Sequence, residues 1–370
     1  MTIFLVDLEA VDTRYTGQWK AHVPSMLKEK GHEVYIVTGP ADIPAATTPG
    51  AFLNFGGTNI YKAAQVETIS RLFTAGKIVA GDHFIFTDAW HPGIINLKYM
   101  SELLNIPVAI HALWHAGSYD PQDFLGRLIG DKPWVRHAEK SFFNAIDHNY
   151  FATDFHINLF FENLLMSGSI IDVEWASDEL TYFIENKKII RSGWPMEYMD
   201  DILHSYKGKP KKDLILFPHR IAPEKQVEIF KDLATHLPQY EWIVCQEHNL
   251  SKDEYHQLLG EAKIVFSANL QETLGISMYE GVLVDAIPMV PDRLSYSEMY
   301  EDIFKYPSAW TESFKSYENY RQDICKAITD QMDFYRNRLP WLKKQAKSLT
   351  QDFFSADELY KGLRINRYGN

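Results

Sequence analysis

The chain has 370 residues, which at about 100–200 residues per domain argues for two domains, each long enough to bury its own core. With 46% hydrophobic, 14% aromatic and 23% charged residues it is a folded globular protein, neither disordered nor collagenous, and too long for a peptide hormone or a small binding module. Thirty-seven Lys and Arg against 49 Asp and Glu leave a formal charge of −12, so nucleic acid and anionic lipid are repelled at long range and any polyanion must be met by a local basic patch.

In the first half, short apolar runs alternate with amphipathic segments. Thr2–Val6 reads as a strand, Gln18–Lys30 as a helix stopped by Gly31, and Glu33–Thr38 as a second strand, together one βαβ unit. Strand-like runs follow at His83–Thr87, Pro107–His111 and Asn149–Ala152, with helical periodicity over Gly93–Leu104, Val135–Ala145 and Phe155–Leu164. Strands separated by helices predict a parallel, doubly wound sheet, because parallel neighbours need a crossover connection. Trp194-Pro195 is followed by Lys207-Gly-Lys-Pro-Lys-Lys212, a stretch without an apolar stripe, so 196–212 reads as a linker. The alternation then restarts: strand Leu214–Phe217, helix Pro223–His236, strand Glu241–Cys245, helix Lys252–Leu259, strand Ile264–Ser267, helix Ile276–Val284 and strand Ile287–Val290, with helical sequence from about Glu312 onward. The expected α/β architecture is therefore two Rossmann-like doubly wound domains facing a central cleft. Residues 1–195 and 213–340 form the domains, and a helical segment 341–370 packs back on the first. Such sheets bind ligands beyond the carboxyl ends of their strands.

The two cysteines, Cys245 and Cys325, have neither a C-x-x-C nor a zinc-knuckle spacing, which fits a reducing compartment. No run of about 18 apolar residues occurs, and the first residues lack the basic-then-apolar pattern of a leader. A soluble, cytoplasmic protein without membrane insertion is the expectation.

No G-x-G-x-x-G follows the first strand and no Walker A sequence exists; Gly56-Gly57-Thr-Asn fits neither. The informative stretch is Phe217-Pro-His-Arg220-Ile-Ala-Pro-Glu-Lys225, where a strand ends and two cations five residues apart bracket the start of a helix. Either both are solvated, or the helix N-terminus and the pair grip one diphosphate. Further on stands Ser267-Ala-Asn-Leu-Gln-Glu272-Thr-Leu-Gly275-Ile-Ser-Met-Tyr-Glu280. Here backbone N–H groups of Leu274, Gly275 and Ile276, with Thr273 beside them, are expected to face a ligand. Glu272 and Glu280 can each accept hydrogen bonds from vicinal hydroxyls, or be plain surface charges.

Arg220 and Lys225 followed by Glu272-x7-Glu280 resemble the nucleotide-sugar site of retaining glycosyltransferases of the GT-B fold. Pro218-His-Arg220, the 272–280 segment and Pro288-Met-Val-Pro-Asp-Arg-Leu-Ser-Tyr-Ser-Glu298 are similar to the branch containing the tRNA-queuosine mannosyltransferases. The resemblance covers the C-terminal half by motif and the N-terminal half only by pattern. It implies that Arg220 and Lys225 hold the donor diphosphate and stabilise the leaving nucleotide. Glu280 would bind ribose hydroxyls and Glu272 those of the transferred sugar, with Thr273, Leu274, Gly275 and Ile276 also at the donor. Asp285 departs from the family, which usually has a small residue there, often Gly. The implied enzyme retains anomeric configuration, favours a UDP-sugar, and uses no cofactor or metal; none is suggested by a D-x-D pattern.

The N-terminal half should bind the acceptor. Its first loop after a strand, Asp7 to Lys20, holds Arg14, Tyr15, Gly17, Trp19 and Lys20, and either stacks a ring and contacts a phosphate or simply packs. His111 and His115 form an i, i+4 pair after a predicted strand, read as cleft residues or as part of a zinc set lacking a third ligand. Asp88-Ala-Trp90-His91 and Tyr119-Asp120 are further positions of this kind. The favoured acceptor is a hydroxylated base in nucleic acid, either tRNA or phage DNA carrying hydroxymethylcytosine. Lys207, Lys209, Lys211, Lys212, Arg14, Lys20, Arg364 and Arg367 would form the basic patch. A saccharide, lipid or small-molecule acceptor is the alternative; a nucleotide-sugar epimerase and a non-catalytic nucleotide-binding protein are the competing classes.

Overall fold

A strand inside a parallel sheet is covered on both faces and needs a continuous apolar run, and β1 (Thr2–Val6) meets that demand with Ile3, Phe4, Leu5 and Val6 all in the core. The computed structural model describes residues 1–10, 15–44, 53–166 and 173–364. It divides into two compact units, one holding the described residues of Met1–Pro195 and Ala356–Asn370, the other Met196–Ser355.

In the first unit, β1 is followed by α1 (Tyr15–Glu29), β2 (Glu33–Val37), α2 (Phe55–Thr74), β3 (His83–Phe86), α3 (Gly93–Leu103), β4 (Ala109–Leu113), α4 (Phe124–Leu128), α5 (Pro133–Ala145), β5 (His148–Phe151), α6 (Asp154–Phe160), α7 (Val173–Glu185) and β6 (Ile189–Arg191). The strands form one parallel sheet in the order β2-β1-β3-β4-β5-β6. Its core joins Phe4, Phe84, Phe86, Ile110, Trp114, Phe143 and Phe151 from the sheet and its covering helices. The sequence reading assigns no element over α2, whose first turn holds Gly56 and Gly57, where glycine disfavours helix. The Asn54 side chain offsets this by accepting from Gly57 N at 2.8 Å, an N-cap.

The second unit contains α8 (Met199–Leu203), β7 (Lys212–Phe217), α9 (Val227–His236), β8 (Glu241–Val244), α10 (Lys252–Glu261), β9 (Ala262–Phe266), α11 (Ile276–Leu283), β10 (Ile287–Asp292), α12 (Tyr296–Met299), β11 (Lys305–Pro307), α13 (Phe314–Asp333) and α14 (Tyr335–Asp352). Its sheet is parallel, in the order β11-β10-β9-β7-β8. The stretch read as a linker begins inside this unit and carries α8, whose Met199 and Leu203 are fully buried. The C-terminal segment divides: α14 stays with the second unit, and α15 (Asp357–Gly362) belongs to the first, with Leu359, Tyr360 and Leu363 buried.

Both sheets are doubly wound, and strand order fixes where a ligand fits. The chain reverses direction across the sheet beside β1 in the first unit and beside β7 in the second. In the second unit the segments leaving β7 and β9 are therefore neighbours at a topological switch point, where such folds open a crevice.

Candidate functional site

Beyond β7 the chain runs through Pro218–Ala222 into a 3-10 turn, Pro223–Lys225, and Gln226 is left-handed at φ 53° before α9 begins. The helix expected from Pro223 is thus interrupted, and Lys225 closes a turn ahead of it. A left-handed non-glycine residue costs about 1–2 kcal/mol. It is held here by the buried Gln226 amide, which donates to the carbonyls of Ala268 at 2.6 Å and Thr311 at 2.7 Å. Leu270 N donates to Glu224 O at 2.8 Å, so the two post-strand segments are stitched by backbone as well.

This turn aims Lys225 at the other segment. Its ammonium donates to Gln271 O at 2.6 Å and lies 3.3 Å from Glu272 Oε2, with both side chains largely buried. Arg220 pairs with the carboxylate of Glu224, itself 1% exposed, and keeps about a third of its side chain accessible.

The segment after β9 ends at Gly275, which caps α11 with φ 75°. A Cβ there would stand 2.7 Å from Tyr296 Cε1, so both backbone and space demand glycine. Thr273 N and Leu274 N point at Glu272 Oε1, at 3.2 and 3.5 Å, and Asn269 Nδ2 donates to Oε2 at 3.2 Å. Leu274 N and Gly275 N, two of the N–H groups expected to face a ligand, lie at the carboxylate of their own loop, and Ile276 opens the helix behind them. Burial pushes the Glu272 pKa up, but Lys225 and the N–H groups of Gly275 and Leu274 outweigh it and hold it below the usual carboxylate range.

Arg293 fixes this loop from behind, donating to Asn269 O at 2.7 Å, Ala268 O at 2.8 Å, Ser308 O at 3.0 Å and Thr311 O at 3.2 Å. Tyr296 accepts from Asn269 Nδ2 at 3.2 Å. Sequence reasoning assigns neither residue a role, nor Gln226, since nothing local marks a side chain that serves distant carbonyls.

Glu280 lies on α11 and is 4% exposed. Its partners come from α10, which Ser251 and Glu254 start with a capping box. Lys252, Tyr255 and His256 then share one helical face. Tyr255 OH donates to Oε2 at 2.8 Å, Lys252 Nζ is 3.3 Å from Oε1, and His256 Nε2 is 3.8 Å from it. Burial opposes ionisation, yet Lys252, His256 and Tyr255 bring the Glu280 pKa to about 2. A carboxylate offers about four lone-pair directions, so it retains capacity for a ligand hydroxyl. Asp285 follows α11 at φ 63°, which accounts for the glycine common there in the family the motif resembles: the position is a helix end, and Gly meets it without strain.

In the first unit, Arg14 and Arg367 lie outside the described residues. Tyr15, Gly17 and Lys20 belong to α1 rather than to a loop. Tyr15 OH bonds His115 Nδ1, and the rings of Tyr15, Trp19, His115 and Trp194 interlock with centroids 4.4–5.6 Å apart. Trp19 and Trp194 are buried, so this cluster packs the start of α1 against the segment leaving β4. Lys20 is engaged by Asp7, Thr38 and Tyr61 at 3.4, 2.9 and 3.0 Å.

His111 and His115 separate. His111 sits inside β4, fully buried between His83 and His148, with Nε2 2.9 Å from His83 Nδ1. Among the described residues no three His, Cys, Asp or Glu are grouped to hold a metal ion. Trp90 and Ser118 donate to Glu139, and Asp88 pairs with Lys62 at 3.0 Å, so that region is internally satisfied. Of the residues expected in a basic patch, Lys207 pairs with Asp200, Lys209 with Gln257 and Lys212 with Glu261, while Lys211 donates to the carbonyls of Ala262 and Val284. No helix among the described residues is long and apolar enough to cross a membrane.

The two parallel sheets and their connections are the GT-B fold of glycosyltransferases. No family model matches the sequence. Among solved structures, the chain is similar to sucrose-phosphate synthase from Thermosynechococcus elongatus, at 12% identity and TM-score 0.62 over 98% of this chain and 99% of that one. It is similar to the catalytic domain of starch synthase IV from Arabidopsis thaliana bound to ADP and acarbose, at 12% identity and TM-score 0.54 over 98% and 99%. A pneumococcal O-GlcNAc transferase in complex with UDP and GlcNAc matches at 11% identity and TM-score 0.51, over 81% of this chain but only 60% of its own length.

Proposed function

We propose that the chain is a retaining glycosyltransferase that moves a sugar from a nucleoside diphosphate sugar, a UDP-sugar by preference, to an acceptor hydroxyl. The observation that carries this reading is the meeting of Lys225 with Gln271 O and Glu272 at the switch point beside β7. Breaking the sugar–phosphate bond builds negative charge on the departing diphosphate, which Lys225 and Arg220 neutralise without a metal ion. Glu272 accepts from hydroxyls of the transferred sugar and Glu280 from those of the ribose. With retention, the acceptor hydroxyl attacks on the face the diphosphate leaves, and a diphosphate oxygen takes its proton, so no separate base is assigned.

The named relatives in fold include proteins bound to UDP with GlcNAc and to ADP with acarbose, which supports a nucleotide-linked sugar as donor. For the acceptor, the internal pairing of Lys207, Lys209 and Lys212 on a chain of net charge −12 favours a saccharide or small-molecule hydroxyl over a nucleic-acid base.

Thermal unfolding with UDP-, GDP- and ADP-sugars tests the donor, because a ligand that binds only the native state raises the melting temperature. NMR of the product tests retention, and nucleoside mass spectrometry of DNA and RNA from expressing cells tests the acceptor. A donor-induced shift followed by an α-linked product from an α-linked donor is expected, in the presence of a chelator. No shift with any donor overturns the reading.

A further inference from the structure

His219 stands two residues beyond β7, between the end of that strand and Arg220. It is 6% exposed and edge-on to Phe217, with ring centroids 5.2 Å apart. Its Nδ1 is 3.4 Å from the Ser277 hydroxyl in the first turn of α11. Its Nε2 is sealed from water and has no hydrogen-bond partner among the described residues. A buried polar atom left unpaired is destabilising, and native proteins keep few of them. The ring also feels the charges of Lys225, Glu272 and Arg220, the last of which follows it directly in the chain.

We infer that His219 is a donor-binding residue whose Nε2–H hydrogen-bonds a diphosphate oxygen of the nucleotide, with Ser277 orienting the ring through Nδ1. This rests on the proposed function and adds a contact to it. Burial, then Lys225, hold the imidazole pKa at about 3, so the ring is neutral at pH 7 and carries one proton. With Ser277 donating to Nδ1, that proton sits on Nε2. The ring thus supplies a directed donor beside two cations without adding charge to a buried site.

The variants H219N and H219Q test this, because Asn places its amide near the imidazole Nδ1 and Gln near Nε2, and both keep the site polar. Titration calorimetry with UDP and with uridine is the measurement. H219N is expected to bind UDP about tenfold more weakly, the loss of one hydrogen bond to a charged group, while H219Q stays near wild type. Uridine affinity should be the same in all three proteins. Equal UDP affinity in H219N and wild type, or a parallel loss for uridine, overturns the inference and leaves the proposed function standing. A wild-type chain that binds none of UDP, GDP or ADP removes both.

Discussion

Lys225 Nζ donates to Gln271 O at 2.6 Å and lies 3.3 Å from Glu272 Oε2, joining the segments that leave β7 and β9. The pair is mostly buried, so taking away the cation strands a carboxylate. K225M is expected to lower stability at pH 7 by roughly 3 kcal/mol in urea unfolding. The folded-state pKa of Glu272 is depressed, so the stability it contributes is present above the unfolded value, about 4.3, and fades as pH falls below it. The penalty of K225M should therefore shrink at pH 4 and below; a constant penalty would contradict this pairing.

Acid should destabilise the protein early. Burial holds His91, His156 and His219 at about 3 and His83 at about 4, against about 6.5 in an unfolded chain. These depressed values mean that the unfolded state binds more protons, so stability is full above pH 6.5 and lost as pH falls through 6.5 towards 3. Glu280, at about 2, adds a further loss between about pH 4.3 and 2. Unfolding free energy measured from pH 7 to 4.5 should fall throughout, whereas a flat profile over that range would count against neutral buried histidines.

Asp285 carries a left-handed backbone that glycine adopts freely. D285G should stabilise the protein by about 1 kcal/mol, the relief of that strain less the entropy glycine adds to the unfolded chain. Donor preference should be untouched, because the residue ends α11. A changed donor preference in D285G, measured with UDP-, GDP- and ADP-sugars, would mean the position acts on the nucleotide.

Much of the fold is legible in the sequence because parallel strands declare themselves as short apolar runs: Thr2–Val6 agrees at both ends, and the runs at His83, Glu241 and Ile287 start where the strands start. The edge strands β6 and β11 are three residues long and too short to show a pattern. The strand-end rule brings Lys225 and Glu272 into one place from separate segments. What escapes it is long-range or conformational. The left-handed Gln226 looks like ordinary helix, Arg293 serves carbonyls 15 to 25 residues away, and the partners of Glu280 lie on another helix. His111, the last residue of the strand-like run, falls in the middle of β4 because the strand extends to Leu113, past the end that the apolar run suggests.

The most direct measurement is the rate of nucleoside diphosphate release from UDP-, GDP- and ADP-sugars by wild type, K225A and E272Q. Wild type should turn over at least one donor, and each variant should be slowed by about 2–4 kcal/mol in barrier, roughly thirtyfold to a thousandfold. Release at the wild-type rate by both variants would contradict the account.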